Sequence, residues 1–103
     1  MPHNTLAAIT FGSFLLVMAT DQLPTLNIGP TCAGADLSGT ARSGRCEEVE
    51  LDARNTLDVE WSNFPAADRH DCLALTHLGG YPSYVQVLTC LEIARDARRL
   101  RAE

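Results

Sequence analysis

Four cysteines are the residues of this sequence most suited to chemistry, and their spacing limits what that chemistry is. They are Cys32, Cys46, Cys72 and Cys90, so the nearest two stand fourteen positions apart. A thiol–disulfide catalyst uses a C-x-x-C pair with one activated thiolate, and a zinc site uses similarly short knuckles. Neither spacing occurs here, whereas an even number of cysteines suits a disulfide framework. We therefore expect structural disulfides, and we assign no catalytic residue, metal ligand or cofactor.

Two histidines and two carboxylates raise two alternative functions, a metal site and a hydrolytic site. His70 and His77 fall two turns apart on one helix face, whereas chelation favours positions i and i+4, so we expect both to face solvent. Glu50 and Glu60 invite a two-carboxylate hydrolase. Ten helical residues separate them by about 15 Å, which exceeds the spacing of such mechanisms. Salt bridges or helix-end hydrogen bonds, for instance with Arg54 and Arg69, are the expected purpose, and a small hydrolase or metal-binding protein remains the alternative.

A flexible turn carries a candidate interaction surface. Leu78, Tyr81 and Tyr84 flank a Gly-Gly pair, and tyrosines on loops are favoured at interfaces. The alternative is that both tyrosines close the end of a small core, with Trp61 at the centre of that core.

The N-terminal segment has the composition of an export signal. Residues 6–19, LAAITFGSFLLVMA, form an uncharged apolar run that is shorter than the roughly 20 residues of a membrane span. We expect residues 1–19 to be a signal peptide cleaved after Ala19, leaving no stable membrane span; an uncleaved anchor is the alternative. Export would place the protein in the periplasm or outside the cell, where disulfides persist.

Net charge and the positions of proline and glycine guide the interpretation of the rest of the chain. Thirteen acidic side chains outnumber eight basic ones, giving a net charge of −5, so we expect no nucleic-acid partner. Residues 20–44 contain Pro24, Gly29 and Pro30 and are expected to be an extended arm and loop, with a short helical turn around Cys32. Residues 45–103 are expected to form a three-helix domain.

Hydrophobic periodicity places the three helices. Over residues 45–63 the apolar positions recur at steps of three and four, with Ser43 as N-cap; they are Cys46, Val49, Ala53, Leu57, Trp61 and Phe64. A second helix is expected from Pro65 to Gly79-Gly80, with an apolar side that holds Ala67, Cys72, Leu75 and Leu78. The third helix opens at Ser83, which forms a capping box with Gln86, and runs to about Arg101. Its first ten residues are apolar over most of their circumference, so it is central or dimerises with a second copy.

An antiparallel hairpin of the last two helices would bring Cys72 level with Cys90, leaving Cys32 to pair with Cys46. Sequence alone permits three connectivities, and this is the one we expect. The predicted fold is therefore all-α: a small, disulfide-stapled three-helix domain with an extended N-terminal arm after a signal peptide.

The order of motifs resembles a group of small exported four-cysteine helical proteins of alphaproteobacteria. The motifs are Pro30-Thr31-Cys32, Cys46, Trp61, Phe64, Ala67-Asp68-Arg69, Cys72, Gly79-Gly80, Pro82-Ser83-Tyr84-Val85 and Leu88-Thr89-Cys90-Leu91-Glu92. The resemblance implies export and fold but no activity. Cysteine-flanked helices with an A-R-x-x-L pattern are more loosely similar to lysozyme-inhibitor-like envelope domains. The expected function is non-enzymatic binding of an unknown protein or envelope component.

Overall fold

The computed structural model describes residues 22–35 and 40–102. They form four α-helices and one turn of 3-10 helix: α1 Gly29–Ala35, α2 Thr40–Glu60, the turn Trp61–Asn63, α3 Ala66–Leu78 and α4 Tyr84–Ala102. Within these ranges there is no β-strand, so the expected all-α class is confirmed. The predicted signal peptide, residues 1–19, lies outside the described part of the chain.

Both predicted disulfides are present. Cys32 bonds Cys46, which ties α1 to α2, and Cys72 bonds Cys90, which ties α3 to α4. The Cα atoms of the two pairs are 5.5 and 5.7 Å apart. The disulfides therefore join the helices in two pairs, and the α1–α2 pair meets the α3–α4 pair without a disulfide between them.

The arm occupies residues 23–28, which adopt no regular secondary structure. It is shorter than expected because α1 already begins at Gly29, with Pro30 in its first turn. Proline is tolerated there, since the first N–H groups of a helix have no intrahelical acceptor. The arm contributes Leu26 to the core, where only 5% of its surface is exposed.

The second helix starts five residues earlier than predicted. It begins at Thr40, so Ser43 lies within α2 and the expectation that it caps the helix is wrong. Gly44 also lies inside the helix, at a cost of about 1 kcal/mol relative to alanine. Contact with α1 and the Cys32–Cys46 bond offset that weak preference, because helices in proteins are stabilised mainly by tertiary packing.

The last two helices form an antiparallel hairpin, as expected. Cys72 bonds Cys90 and Asp68 pairs with Arg98, so earlier residues of α3 meet later residues of α4. The turn between them contains Gly80 at φ +79°, a left-handed conformation that glycine adopts without a steric penalty. By contrast α2 and α4 are parallel, since Glu50 bonds the start of α4 and Glu60 bonds Arg95 further along it.

Side chains from the arm, from α2, α3 and α4, and from the segment between α2 and α3 form one core, and Trp61 is part of it as predicted. Its buried members are Leu26, Ala53, Leu57, Trp61, Phe64, Cys72, Tyr84, Val87 and Leu91. Val49 was expected in this stripe but is 54% exposed, and the carboxylate of Glu50 is buried beside it instead.

The apolar side predicted for α3 is right at Cys72 and wrong at the other three residues. Arg69, Cys72 and Thr76 are its buried residues, whereas Leu75 and Leu78 are exposed, and so is Ala67. Polar side chains can be buried when they have partners, and these have them. The Arg69 guanidinium lies over the Trp61 ring, 5.6 Å from its centroid, and the Thr76 hydroxyl bonds backbone groups of Ser83.

Candidate functional site

Glu50 and Glu60 bind different parts of α4. Glu50 accepts hydrogen bonds from the Ser83 hydroxyl and the Tyr84 N–H, both at 2.6 Å. Glu60 accepts one from Arg95 at 3.3 Å. Eleven residues of helix separate Tyr84 from Arg95, or about 16 Å along the axis. The carboxyl groups are therefore not spaced as an acid/base pair, which needs roughly 5 to 9.5 Å.

The expected purpose of the two carboxylates is confirmed, but the named partners were wrong. Glu50 bonds a helix end and not Arg54, and Glu60 pairs with Arg95 and not Arg69. A helix-end contact is favourable because the N-terminus of α4 presents unsatisfied N–H groups and a partial positive charge.

Ser83 is the centre of a hydrogen-bond junction that joins three helices. Its hydroxyl accepts the N–H of Gln86 at 3.2 Å, which is one half of the predicted capping box. Its N–H donates to the Thr76 hydroxyl at 2.9 Å, and that hydroxyl donates to the Ser83 carbonyl at 3.4 Å. Glu50 of α2 supplies a further acceptor for the first turn of α4. We call Glu50, Thr76, Ser83 and Tyr84 the Ser83 junction.

The arm and α1 are hydrogen-bonded to the same segment, which runs from Pro82 to Tyr84. The Leu26 N–H donates to the Tyr84 hydroxyl at 2.8 Å, and the Thr31 hydroxyl donates to the Pro82 carbonyl at 2.6 Å. The segment after Gly80 is thus bonded to the arm and to α1, α2 and α3. Such a turn has little freedom to rearrange.

The predicted interaction surface is only partly at the surface. Leu78 is 83% exposed and Tyr81 is 62% exposed, and Leu75, about one helical turn before Leu78 on α3, is 45% exposed. Tyr84 is 2% exposed, so its assignment to the surface is wrong; it closes the core, as the alternative interpretation held. We call Leu75, Leu78 and Tyr81 the turn surface.

Both histidines are exposed, as predicted. The Nδ1 atom of His70 lies 3.3 Å from a carboxylate oxygen of the neighbouring Asp71. Across residues 22–35 and 40–102, no group of three or more His, Cys, Asp or Glu side chains is arranged to hold a metal ion.

A groove that sequence patterns do not indicate lies between the arm and α3. It has a volume of about 580 Å³ and is lined by Gln22, Pro24, Trp61, Ala66, Ala67, Arg69, His70 and Leu73. Trp61 was correctly predicted as a core residue, but periodicity cannot show that one side of its ring borders a groove. A smaller cavity of about 360 Å³ adjoins Trp61 on the side of Asp58. We call the larger cavity the arm groove.

Comparison of the chain with protein-family models, with curated proteins and with solved structures found no match. The resemblance to exported four-cysteine proteins therefore stays a prediction. None of the described helices has both the length and the apolar character needed to cross a membrane.

Proposed function

We propose that this chain is a small exported binding protein, without catalytic activity, that engages a protein partner through the turn surface. Export by a signal peptide of residues 1–19, cleaved after Ala19, is part of the proposal and delivers the chain to the periplasm or the exterior. Two disulfides are consistent with an oxidising compartment of this kind.

One observation carries the proposal: exposed apolar side chains stand on a turn that is fixed from several sides. Leu78 and Tyr81 lie between Thr76 and the Pro82-Ser83 pair. Thr76 bonds Ser83 across the turn, Pro82 accepts a bond from α1, and Ser83 donates one to α2. The Cys72–Cys90 bond holds the hairpin further along its length. Because the surface is already ordered, a partner would lose less conformational entropy on binding it.

The chemistry of the turn surface favours a protein as the partner. Leucine and tyrosine side chains suit an apolar pocket, and the Tyr81 hydroxyl adds a hydrogen-bonding group at its edge. A net charge of −5 disfavours nucleic acids and other polyanions. Adjacent exposed apolar residues are also a feature of protein-binding sites on soluble proteins.

Photo-crosslinking in the native host tests this proposal. A photoreactive amino acid is placed at Tyr81 and, as a control of comparable exposure, at Leu100 near the end of α4, which is 72% exposed. We expect a defined crosslinked protein from position 81 and none from position 100. The identified protein is then purified, and its affinity is expected to fall about tenfold or more for Leu78→Ala but not for Leu100→Ala.

Two results would contradict the proposal. One is the same set of crosslinks from both positions, which indicates nonspecific contact. The other is a purified partner whose affinity is unchanged by Tyr81→Ala and Leu78→Ala. Mass spectrometry of the exported protein reports separately whether the chain begins at Thr20, so export and binding are judged independently.

A further inference from the structure

We infer that the Cys32–Cys46 disulfide regulates the turn surface, so that the protein partner binds tightly while this bond is closed and weakly after a dithiol reductant has opened it. The inference rests on the proposed function, because it concerns the regulation of the same surface. Thr31 precedes Cys32 in the sequence, and its hydroxyl donates to the Pro82 carbonyl at 2.6 Å. Pro82 in turn follows Tyr81, so this hydrogen bond connects the disulfide-bonded α1 to the turn.

The helix α1 depends on the disulfide to stay in place. It has seven residues, Gly29–Ala35, whereas isolated helices shorter than about 12–15 residues are marginal in water. The described members of the hydrophobic core come from the arm and from later parts of the chain, and none of them belongs to α1. The bond between Cys32 and Cys46 is therefore the strongest attachment of α1, and its loss allows Thr31 to separate from Pro82.

The rest of the domain keeps its own attachments when this disulfide opens. The arm is held by Leu26, which is 5% exposed and belongs to the core. The start of α4 keeps its bonds to Glu50, and the hairpin of α3 and α4 keeps the Cys72–Cys90 bond. The expected change is therefore a local opening of α1 and of the turn that it contacts, and not unfolding of the domain.

The two disulfides differ in their surroundings. Cys72 is 2% exposed and belongs to the core, and Cys90, although half-buried, packs against that core. Cys46 is also half-buried, but neither it nor Cys32 is a member of the core. A thiolate must reach a sulfur atom to break a disulfide. We therefore expect a reductant to open the Cys32–Cys46 bond, by attack at Cys46, before the Cys72–Cys90 bond.

The reaction consumes one molecule of a dithiol. One thiolate of the reductant attacks Cys46 Sγ, the bond to Cys32 breaks, and Cys32 leaves as a thiolate that takes up a proton. The second thiolate of the reductant then displaces Cys46, which is protonated in the same way. The reductant has given up two electrons and two protons and ends as its own disulfide, and both cysteines end as thiols.

Graded reduction tests the order of opening. The exported chain, with both disulfides formed, is equilibrated with increasing concentrations of dithiothreitol at room temperature, and the new thiols are alkylated and assigned by peptide mapping. We expect alkylation of Cys32 and Cys46 at about tenfold lower dithiothreitol than alkylation of Cys72 and Cys90. Over that range most of the helical circular dichroism signal should remain.

Backbone order parameters from NMR relaxation test whether the disulfide controls the turn. They describe motion within the native state, so a lower global stability does not change them. In the double variant Cys32→Ser, Cys46→Ser, we expect the values for the amides of Gly80 and Tyr81 to fall from about 0.85 towards about 0.6. The value for Leu91, which is fully buried in the core, should stay the same.

A matched pair of threonine variants tests the path from the disulfide to the turn. Thr31→Val keeps the disulfide but removes the hydroxyl that donates to Pro82, so it should loosen the turn as the double cysteine variant does. Thr89→Val makes the same change at an exposed position of α4 and should leave the turn unchanged.

Affinity for the partner captured from position 81 completes the test. We expect it to fall about threefold or more in Cys32→Ser, Cys46→Ser and in Thr31→Val, because a loosened surface loses more conformational entropy on binding. Thr89→Val should bind as the wild type does.

Four results would overturn the inference. They are opening of Cys72–Cys90 first, loss of the helical signal as Cys32–Cys46 opens, unchanged order at Gly80 and Tyr81 in the double variant, and unchanged affinity in the double variant for a partner whose binding Leu78→Ala weakens. The last result leaves the proposed function intact. Failure to capture any partner from position 81 instead contradicts the proposed function, and with it the regulation of binding, even where the order of the turn responds to the disulfide.

Discussion

The carboxylate of Glu50 caps the helix that begins at Tyr84. The two residues are 34 positions apart in sequence, yet the Tyr84 N–H donates to Glu50 at 2.6 Å and the Ser83 hydroxyl donates to the other oxygen at the same distance. Glu50 is 5% exposed, so its bond to the Tyr84 N–H is buried and its bond to the Ser83 hydroxyl is partly buried. A residue that interrupts the apolar stripe of α2 is therefore the one that fixes α4 against it.

Replacing Glu50 should reduce stability. Glu50→Ala leaves the buried Tyr84 N–H and the partly buried Ser83 hydroxyl without their acceptor. Loss of a helix cap or of a bond to a charged group costs about 1–3 kcal/mol. We expect a decrease of that size in the free energy of unfolding, measured by urea denaturation. Glu48→Ala, at an exposed position of the same helix, is the control and should change stability by less than about 0.5 kcal/mol. Equal effects of the two substitutions would contradict the capping role.

Tyr84→Phe should loosen the arm. The substitution keeps the buried ring but removes the hydroxyl that accepts the Leu26 N–H at 2.8 Å. An unsatisfied buried N–H costs about 1–3 kcal/mol. We expect faster hydrogen exchange at Leu26 and faster proteolysis within residues 22–28, with little change in helix content. Tyr81→Phe changes an exposed residue that should not affect the arm, and an arm equally protected in Tyr84→Phe and wild type would count against the bond.

The features that sequence reasoning predicted well are those that depend on neighbours in the chain. Helical periodicity located three helices, and hairpin geometry paired Cys72 with Cys90. Trp61 was recognised as a core residue because it continues a stripe of apolar positions.

The features that sequence reasoning missed depend on contacts between residues that are far apart in the sequence. Burial of Arg69 requires the ring of Trp61, and burial of Thr76 requires backbone groups of Ser83. The periodicity of α3 shows neither of these contacts. The apolar pattern therefore predicted that Leu75 and Leu78 are buried, whereas both are exposed. The arm groove was missed for the same reason, since it exists only where residues 22–24 pass beside α3.

Reducing the disulfides should unfold the domain. They join residues 14 and 18 positions apart, and closing loops of this length contributes about 3 kcal/mol each in the chain-entropy model. Their sum is comparable with the whole stability of a small domain. We expect loss of the helical circular dichroism signal when a phosphine reductant is added at 37 °C, and recovery on reoxidation. A reduced protein with an unchanged urea midpoint would show that the disulfides are dispensable.

The ion pair between Asp68 and Arg98 should make stability depend on acid pH. Two hydrogen bonds of 2.8 Å from Arg98, helped by its charge and that of Arg101, hold the pKa of Asp68 below its usual value of 3.8. A lowered folded-state pKa stabilises the native state above the unfolded-state pKa, and this contribution disappears as the pH falls through the folded-state value. We expect Asp68→Asn to lower the thermal midpoint at pH 6–7, with a difference from wild type that shrinks steadily below about pH 4. Asp96→Asn, at a more exposed aspartate whose contact with Arg99 is 3.9 Å, is the control and should show a smaller difference at neutral pH. A difference between Asp68→Asn and wild type that is the same at pH 2 and pH 7 would mean that the substitution acts through packing and not through the charge of Asp68.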